Sequence, residues 1–134
     1  MGGRGGSSRL GGGSGGGWGE SPELTGSEKQ VRWANDIRQR IKDSIDFNIK
    51  SSTEHHQRTG FMETKIKSDL YKDAKKELSS ILKNTTKASD IINMRDRLDP
   101  MSLNNTINRM AGNMATQVSN GWKYDSKTHR TRRK

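Results

Sequence analysis

Cysteine is absent from this chain, proline occurs twice, and only 5% of the 134 residues are aromatic. Without thiols there are no disulfides and no thiolate metal sites, which suits a reducing compartment and leaves the fold to packing and polar contacts. Long apolar runs are missing as well. No window approaches the roughly 18 consecutive apolar residues of a membrane span, and no apolar core of a secretory signal is legible. A soluble, intracellular protein with no membrane partner is expected. Hydrophobic residues make up 27% and charged residues 30% of the chain. That balance predicts a thin core, marginal as a monomer, which self-association or docking on a larger partner would relieve.

The groups that would do covalent chemistry are missing too. Three histidines are present, but Glu54-His55-His56 sends adjacent imidazoles to different helix faces and His129 lies near the end of the chain. Neither a helical H-E-x-x-H pattern nor a cluster at ligand spacing occurs, so no metal is expected. No serine sits in a G-x-S-x-G turn, and the acidic residues alternate with basic ones along helix faces rather than forming a dyad. The glycine spacings near the start follow no strand, which excludes a phosphate-cradling turn. These absences predict a protein that is not an enzyme and uses no cofactor.

What the chain does have is positive charge, placed at its ends. The formal charge is +10, of which residues 1–19 carry +2, residues 121–134 carry +5 and the long middle only +3. Cationic ends on a near-neutral body suit contacts with phosphates or an acidic protein surface, or simply solubilise the chain.

Three segments are expected. Residues 1–22 form a Gly/Ser/Arg leader that holds most of the glycines and cannot offset its backbone entropy, so it should be disordered; Trp18 either docks somewhere or stays in solvent. Residues 23–121 form a helical domain. Its first helix has two overlapping caps, Thr25-x-x-Glu28 and Ser27-x-x-Gln30, and the stripe Ala34, Ile37, Ile41, Ile45, Ile49. It should reach about residue 48 and fray toward His56 before Thr59-Gly60. A second helix spans about Phe61 to Lys83, with Met62, Ile66, Leu70, Ala74, Leu78 and Leu82 inward. Thr85 or Thr86 can cap a shorter third helix carrying Ile91, Ile92, Met94 and Leu98. Asp99-Pro100 reads as N-cap and first turn of a fourth, which Asn120-Gly121 ends. Nothing reads as a strand. The expected fold is all-α, a small bundle of about four helices. Met94, Met101, Met110 and Met114 serve as core filler or as an adaptable partner groove.

Residues 122–134 form a basic tail. Trp122 and Tyr124 beside Lys123, Arg130, Arg132, Arg133 and Lys134 have the ingredients for phosphate contacts with stacking on an unpaired base. The alternative is that the two aromatics pack back on the bundle and the cations are solvated. These seven residues are the candidate partner-binding set.

The stretch Leu24-Thr25-Gly26-Ser27-Glu28-Lys29-Gln30-Val31-Arg32-Trp33-Ala34-x-x-Ile37-Arg38 resembles the opening helix of a group of small, largely uncharacterised proteins of phages and mobile elements in Gram-positive bacteria. In those a later helix carries alanine, two large apolar residues and arginine. Ala88-Ser89-Asp90-Ile91-Ile92-Asn93-Met94-Arg95 is similar, with Ile91 and Ile92 where tryptophan and isoleucine are usual. Gly2-Gly3-Arg4-Gly5-Gly6-Ser7-Ser8 is similar to segments of phage head-morphogenesis and accessory proteins. The resemblance implies a phage or mobile-element setting, the cytoplasm of a bacterial host and no defined activity. With the cationic tail it leads us to expect an accessory protein that binds nucleic acid or a host nucleoprotein complex, inhibiting a defence nuclease in the anti-CRISPR manner. The alternative is a virion assembly protein that forms homo-oligomers through its helices.

Overall fold

The computed structural model describes residues 18–133. The disorder expected for residues 1–17, and Lys134, lie outside the described residues. Helices α1 (Glu28–Thr59), α2 (Met62–Lys83), α3 (Ala88–Asn93) and α4 (Pro100–Ser119) are followed by strands β1 (Lys123–Asp125) and β2 (Arg130–Arg132). The fold is an all-α bundle as expected. The two strands, which pair antiparallel, correct the reading that nothing in the chain is extended.

Of the two candidate caps on α1, the later one forms. Gln30 N–H donates to Ser27 Oγ and Ser27 N–H donates to Gln30 Oε1, each at 3.2 Å. Thr25 does something else: its N–H donates to the Thr86 carbonyl and its own carbonyl accepts from Ala88 N–H, both at 2.9 Å. This parallel bridge occupies the backbone around Thr86, and Lys87, the N-cap residue of α3, supplies no side-chain cap. Helix α1 does not fray after residue 48. Its polar second half lies against α2, where the Thr53 and Ser68 hydroxyls share a 2.8 Å hydrogen bond, and it stops at Gly60, whose φ of 71° closes the turn. That left-handed conformation favours glycine over any residue with a Cβ. Asp99 caps α4 as predicted, accepting from Ser102 N–H at 3.0 Å.

The antiparallel α1–α2 pair is the spine, and two apolar clusters flank it. One joins Ala34, Ile41 and Ile45 of α1 to Leu78 and Leu82 of α2, Ile91 and Ile92 of α3, and Leu98. The other joins Ile66, Leu70 and Tyr71 of α2 to Ile107 and Ala111 of α4. Ile49, Ala74 and Leu103 touch both. Each fully buried isoleucine here contributes about 1.5–3 kcal/mol of transfer free energy. Tyr71 is the largest fully buried side chain, and its hydroxyl donates to Asn104 Oδ1 at 2.8 Å, satisfying the one polar atom of the ring. Met101 and Met110 are exposed, so the methionines are not uniformly core filler; Met94 and Met114 pack at the cluster margins.

The leader is packed from Trp18 onward, which shortens the segment read as unpacked through residue 22. Trp18 is 7% exposed and its Nε1–H donates to both oxygens of Asp46 at 3.0 and 3.1 Å. Lys75 pairs with the same carboxylate at 2.9 Å, and the ammoniums of Lys75 and Lys42 lie 5.4 and 5.8 Å from the indole centroid. Ser79 donates to the Trp18 carbonyl at 3.0 Å, Lys42 to the Ser21 hydroxyl and Arg38 to the Pro22 carbonyl at 2.9 Å. The segment thus straps the groove between α1 and α2 before Leu24 enters the core. Burial depresses the pKa values of Arg38 and, with help from the Arg38 charge, Lys42. Replacing Trp18 by alanine is expected to lower unfolding free energy by about 3 kcal/mol, the usual cost of emptying a large aromatic site. Urea denaturation reads this as a lower midpoint at nearly unchanged slope.

Candidate functional site

The segment read as a basic tail folds, over residues 122–133, into a hairpin laid across α2 and the end of α4. Its chain of causes starts at Gly121, where a φ of 98° turns the backbone out of α4 and Trp122 N–H caps the Gln117 carbonyl at 2.9 Å. Lys123, Tyr124 and Asp125 then pair with Arg132, Thr131 and Arg130 respectively. Alternation does the rest, because successive strand residues face opposite ways. Tyr124 and its partner Thr131 face the helices and are half-buried, whereas Lys123, Arg130 and Arg132 are exposed.

Two carboxylates of α2 hold the inward face. Asp69, 3% exposed, accepts from the Tyr124 hydroxyl at 2.6 Å and from Lys65 at 3.2 Å. Asp73, one turn on, receives His129 Nδ1 at 2.7 Å. Thr131 adds a hydroxyl bond to the Gln117 side chain. The connection between strands closes with His129 in the left-handed region at φ 58°, its N–H on the Asp125 carbonyl at 2.8 Å. Burial, followed by the bond to Asp69 and the charge there, pushes the Tyr124 phenol far above its usual range. The Asp125 carboxyl is held below its usual range, first by the Lys127 backbone N–H and then by Thr128 and Arg132.

The outward face is cationic. Lys123 and Arg132 are direct partners across the ribbon, a like-charge juxtaposition that costs stability. Arg133 sits with its guanidinium 5.7 Å from the Trp122 ring centroid. Beneath them opens a groove of about 720 Å³ lined by Met62, Val118, Trp122, Lys123, Tyr124, Arg132 and Arg133. Five of the seven predicted residues therefore meet at one groove. Arg130 lies at the other end of the ribbon, opposite Asp125, and Lys134 lies outside the described residues.

Tyr124 packs back on the helices, the alternative read for it in the sequence, while its ring still lines the groove. Its hydroxyl is committed to Asp69 and anchors the hairpin. Sequence reasoning missed Asp69, Asp73, His129 and Gln117 as anchors, and Met62 and Val118 as groove wall. The signal that was present is the alternation of Lys123-Tyr124-Asp125 and Arg130-Thr131-Arg132, with a β-favouring residue at each inward position.

Among the described residues no group of three or more His, Asp or Glu is placed to hold a metal ion, and no helix is long and apolar enough to cross a membrane. No family model, curated protein or solved structure matches this chain.

Replacing Tyr124 by phenylalanine leaves Asp69 without its short hydroxyl bond, and is expected to cost about 1.5–3 kcal/mol, the value of a hydrogen bond to a charged group. Chemical denaturation measures it. The phenol's raised pKa means that its contribution is complete below the usual 10.0 and is lost as pH climbs above that value. Wild-type stability should therefore fall on the alkaline side of pH 10.0, and the Tyr124→Phe variant should fall less steeply.

Proposed function

We propose that this protein binds nucleic acid, free or within a nucleoprotein complex, through the outward face of its C-terminal hairpin. The observation that carries this reading is the Lys123–Arg132 pair. Two cations placed directly opposite one another repel, and a surface held in that arrangement gains when a polyanion lies across it and releases its counterions. The anchors bear on the same point. Buried Asp69 and half-exposed Asp73 fix the ribbon from within, so the outward cations are presented in a set geometry and not on a loose tail.

In the phage setting that the sequence resemblance implies, such binding would act as nuclease inhibition of the anti-CRISPR kind, by holding nucleic acid that the host enzyme needs. The exposed large apolar side chains favour a second reading. Phe47 and Met101 are 69% and 71% exposed, which supports an assembly protein whose helices associate. Sedimentation over a range of concentrations separates the two: an oligomer indifferent to nucleic acid belongs to assembly.

The direct test is titration of DNA and RNA at two salt concentrations. Affinity should fall steeply with salt, and a Lys123→Ala/Arg132→Ala double variant should reduce the slope of log K against log salt by about 2. Absence of binding at low salt, or a slope untouched by the double variant, refutes the reading.

A further inference from the structure

Phosphate binding alone asks for cations and does not explain an apolar groove between them. Under the hairpin, Met62, 39% exposed at the start of α2, and Val118 on α4 form one wall, and the half-buried indole of Trp122 forms another. Lys123, Arg132 and Arg133 stand at the rim. The volume, about 720 Å³, falls within the roughly 300–1,000 Å³ of pockets that take drug-sized ligands. Two other grooves among the described residues lack this charge pattern. The one beside Trp33 sets Arg40 and Arg95 against Asp96 and Asp99, and the one beside Leu78 sets Arg97 against Glu77 and Asp96. The lining under the hairpin contains no carboxylate.

We infer that the nucleic acid this site takes is single-stranded, with one unpaired base lodged between Trp122 and the Met62–Val118 wall and its flanking phosphates on Lys123, Arg132 and Arg133. The inference rests on the nucleic-acid reading above and specifies it. A base within a duplex has both faces covered by its neighbours, so a duplex would meet the rim cations and leave the groove empty. An unpaired base offers a flat π-face, and indole and guanidinium are the two side-chain planes on which such faces stack. The Arg133 guanidinium carbon lies 5.7 Å from the Trp122 ring centroid, so both planes stand at the same mouth. Every base has such a face, and the site therefore discriminates strandedness and not sequence.

Electrostatics alone predicts the opposite preference, because duplex DNA carries the denser charge and the steeper counterion release. That contrast makes the experiment decisive. The full-length chain is titrated, by fluorescence anisotropy at one salt concentration, with three labelled probes of about 16 nucleotides. These are a mixed-sequence single strand, its blunt duplex, and a single strand of abasic sugar-phosphate of equal length. The intact strand should bind about ten- to a hundredfold more tightly than the other two. Trp122→Ala should bring it down to their level with an unchanged salt slope, and Trp122→Phe should restore most of the preference. Met62→Ser, at an exposed position outside both core clusters, should lower the single-strand preference by itself.

Equal affinity for all three probes, or a Trp122→Ala loss shared equally by all three, overturns this inference and leaves electrostatic nucleic-acid binding standing. Failure of every probe to bind at low salt overturns both.

Discussion

Asp69 is a carboxylate on the lysine-rich helix α2 that is almost sealed from water, and an ion in that position is costly unless its oxygens are occupied. Lys65 takes one oxygen from the same helix and the Tyr124 hydroxyl takes the other from 55 residues away in the sequence. The second bond is what turns the end of the chain into structure. A three-residue strand paired with another three-residue strand has no stability of its own, so the hairpin exists because Tyr124 and His129 are held on α2. Everything placed on its outward face depends on that inward attachment.

The N-terminal strap solves the same problem with the same means. Asp46 on α1 accepts from the Trp18 indole and from Lys75, so that the strap at residues 18–22 is fastened over the α1–α2 groove by a partly buried carboxylate. With 27% hydrophobic residues, the chain has little apolar surface with which to attach its ends. Two aromatic side chains, each with one polar atom directed at one α-helical carboxylate, do so instead. Truncating either aromatic removes packing and at the same time leaves a buried charge short of a partner, which is why such contacts weigh more than their area.

This explains what was legible in the sequence and what was not. The helices were legible because they follow local rules: Ser27 with Gln30, Asp99 with Pro100, Gly60 and Gly121 at the ends, and aliphatic residues at three- and four-residue spacing between them. Tyr71 was not, since it sits beside Leu70 off the main stripe and is admitted to the core only because Asn104 of another helix meets its hydroxyl. Trp18 was obscured by the glycine run around it, and Asp69 and Asp73 by a helix whose charges read as an ordinary solvated face. The cations of the site were visible in composition. Their arrangement was not, because period-two alternation over three residues is too short to stand out, and the groove wall Met62 reads as part of the inward stripe of α2.

A two-stranded ribbon also explains how anchoring and presentation coexist in so few residues. On a helix, residues facing one way recur every three or four positions, and a segment of this length would show at most two or three cations on one side. On the ribbon, every second residue is outward, and the partner strand doubles the row: Lys123 lies against Arg132, with Arg133 following over Trp122. The inward positions, Tyr124 and Thr131, are left to bond Asp69 and Gln117. Had the same sequence continued α4, Tyr124 would have been turned away from Asp69 and the cations spread around the helix. The break at Gly121 therefore does more than end a helix. It changes the period of the chain from 3.6 to 2, and with it gathers the charge onto one face.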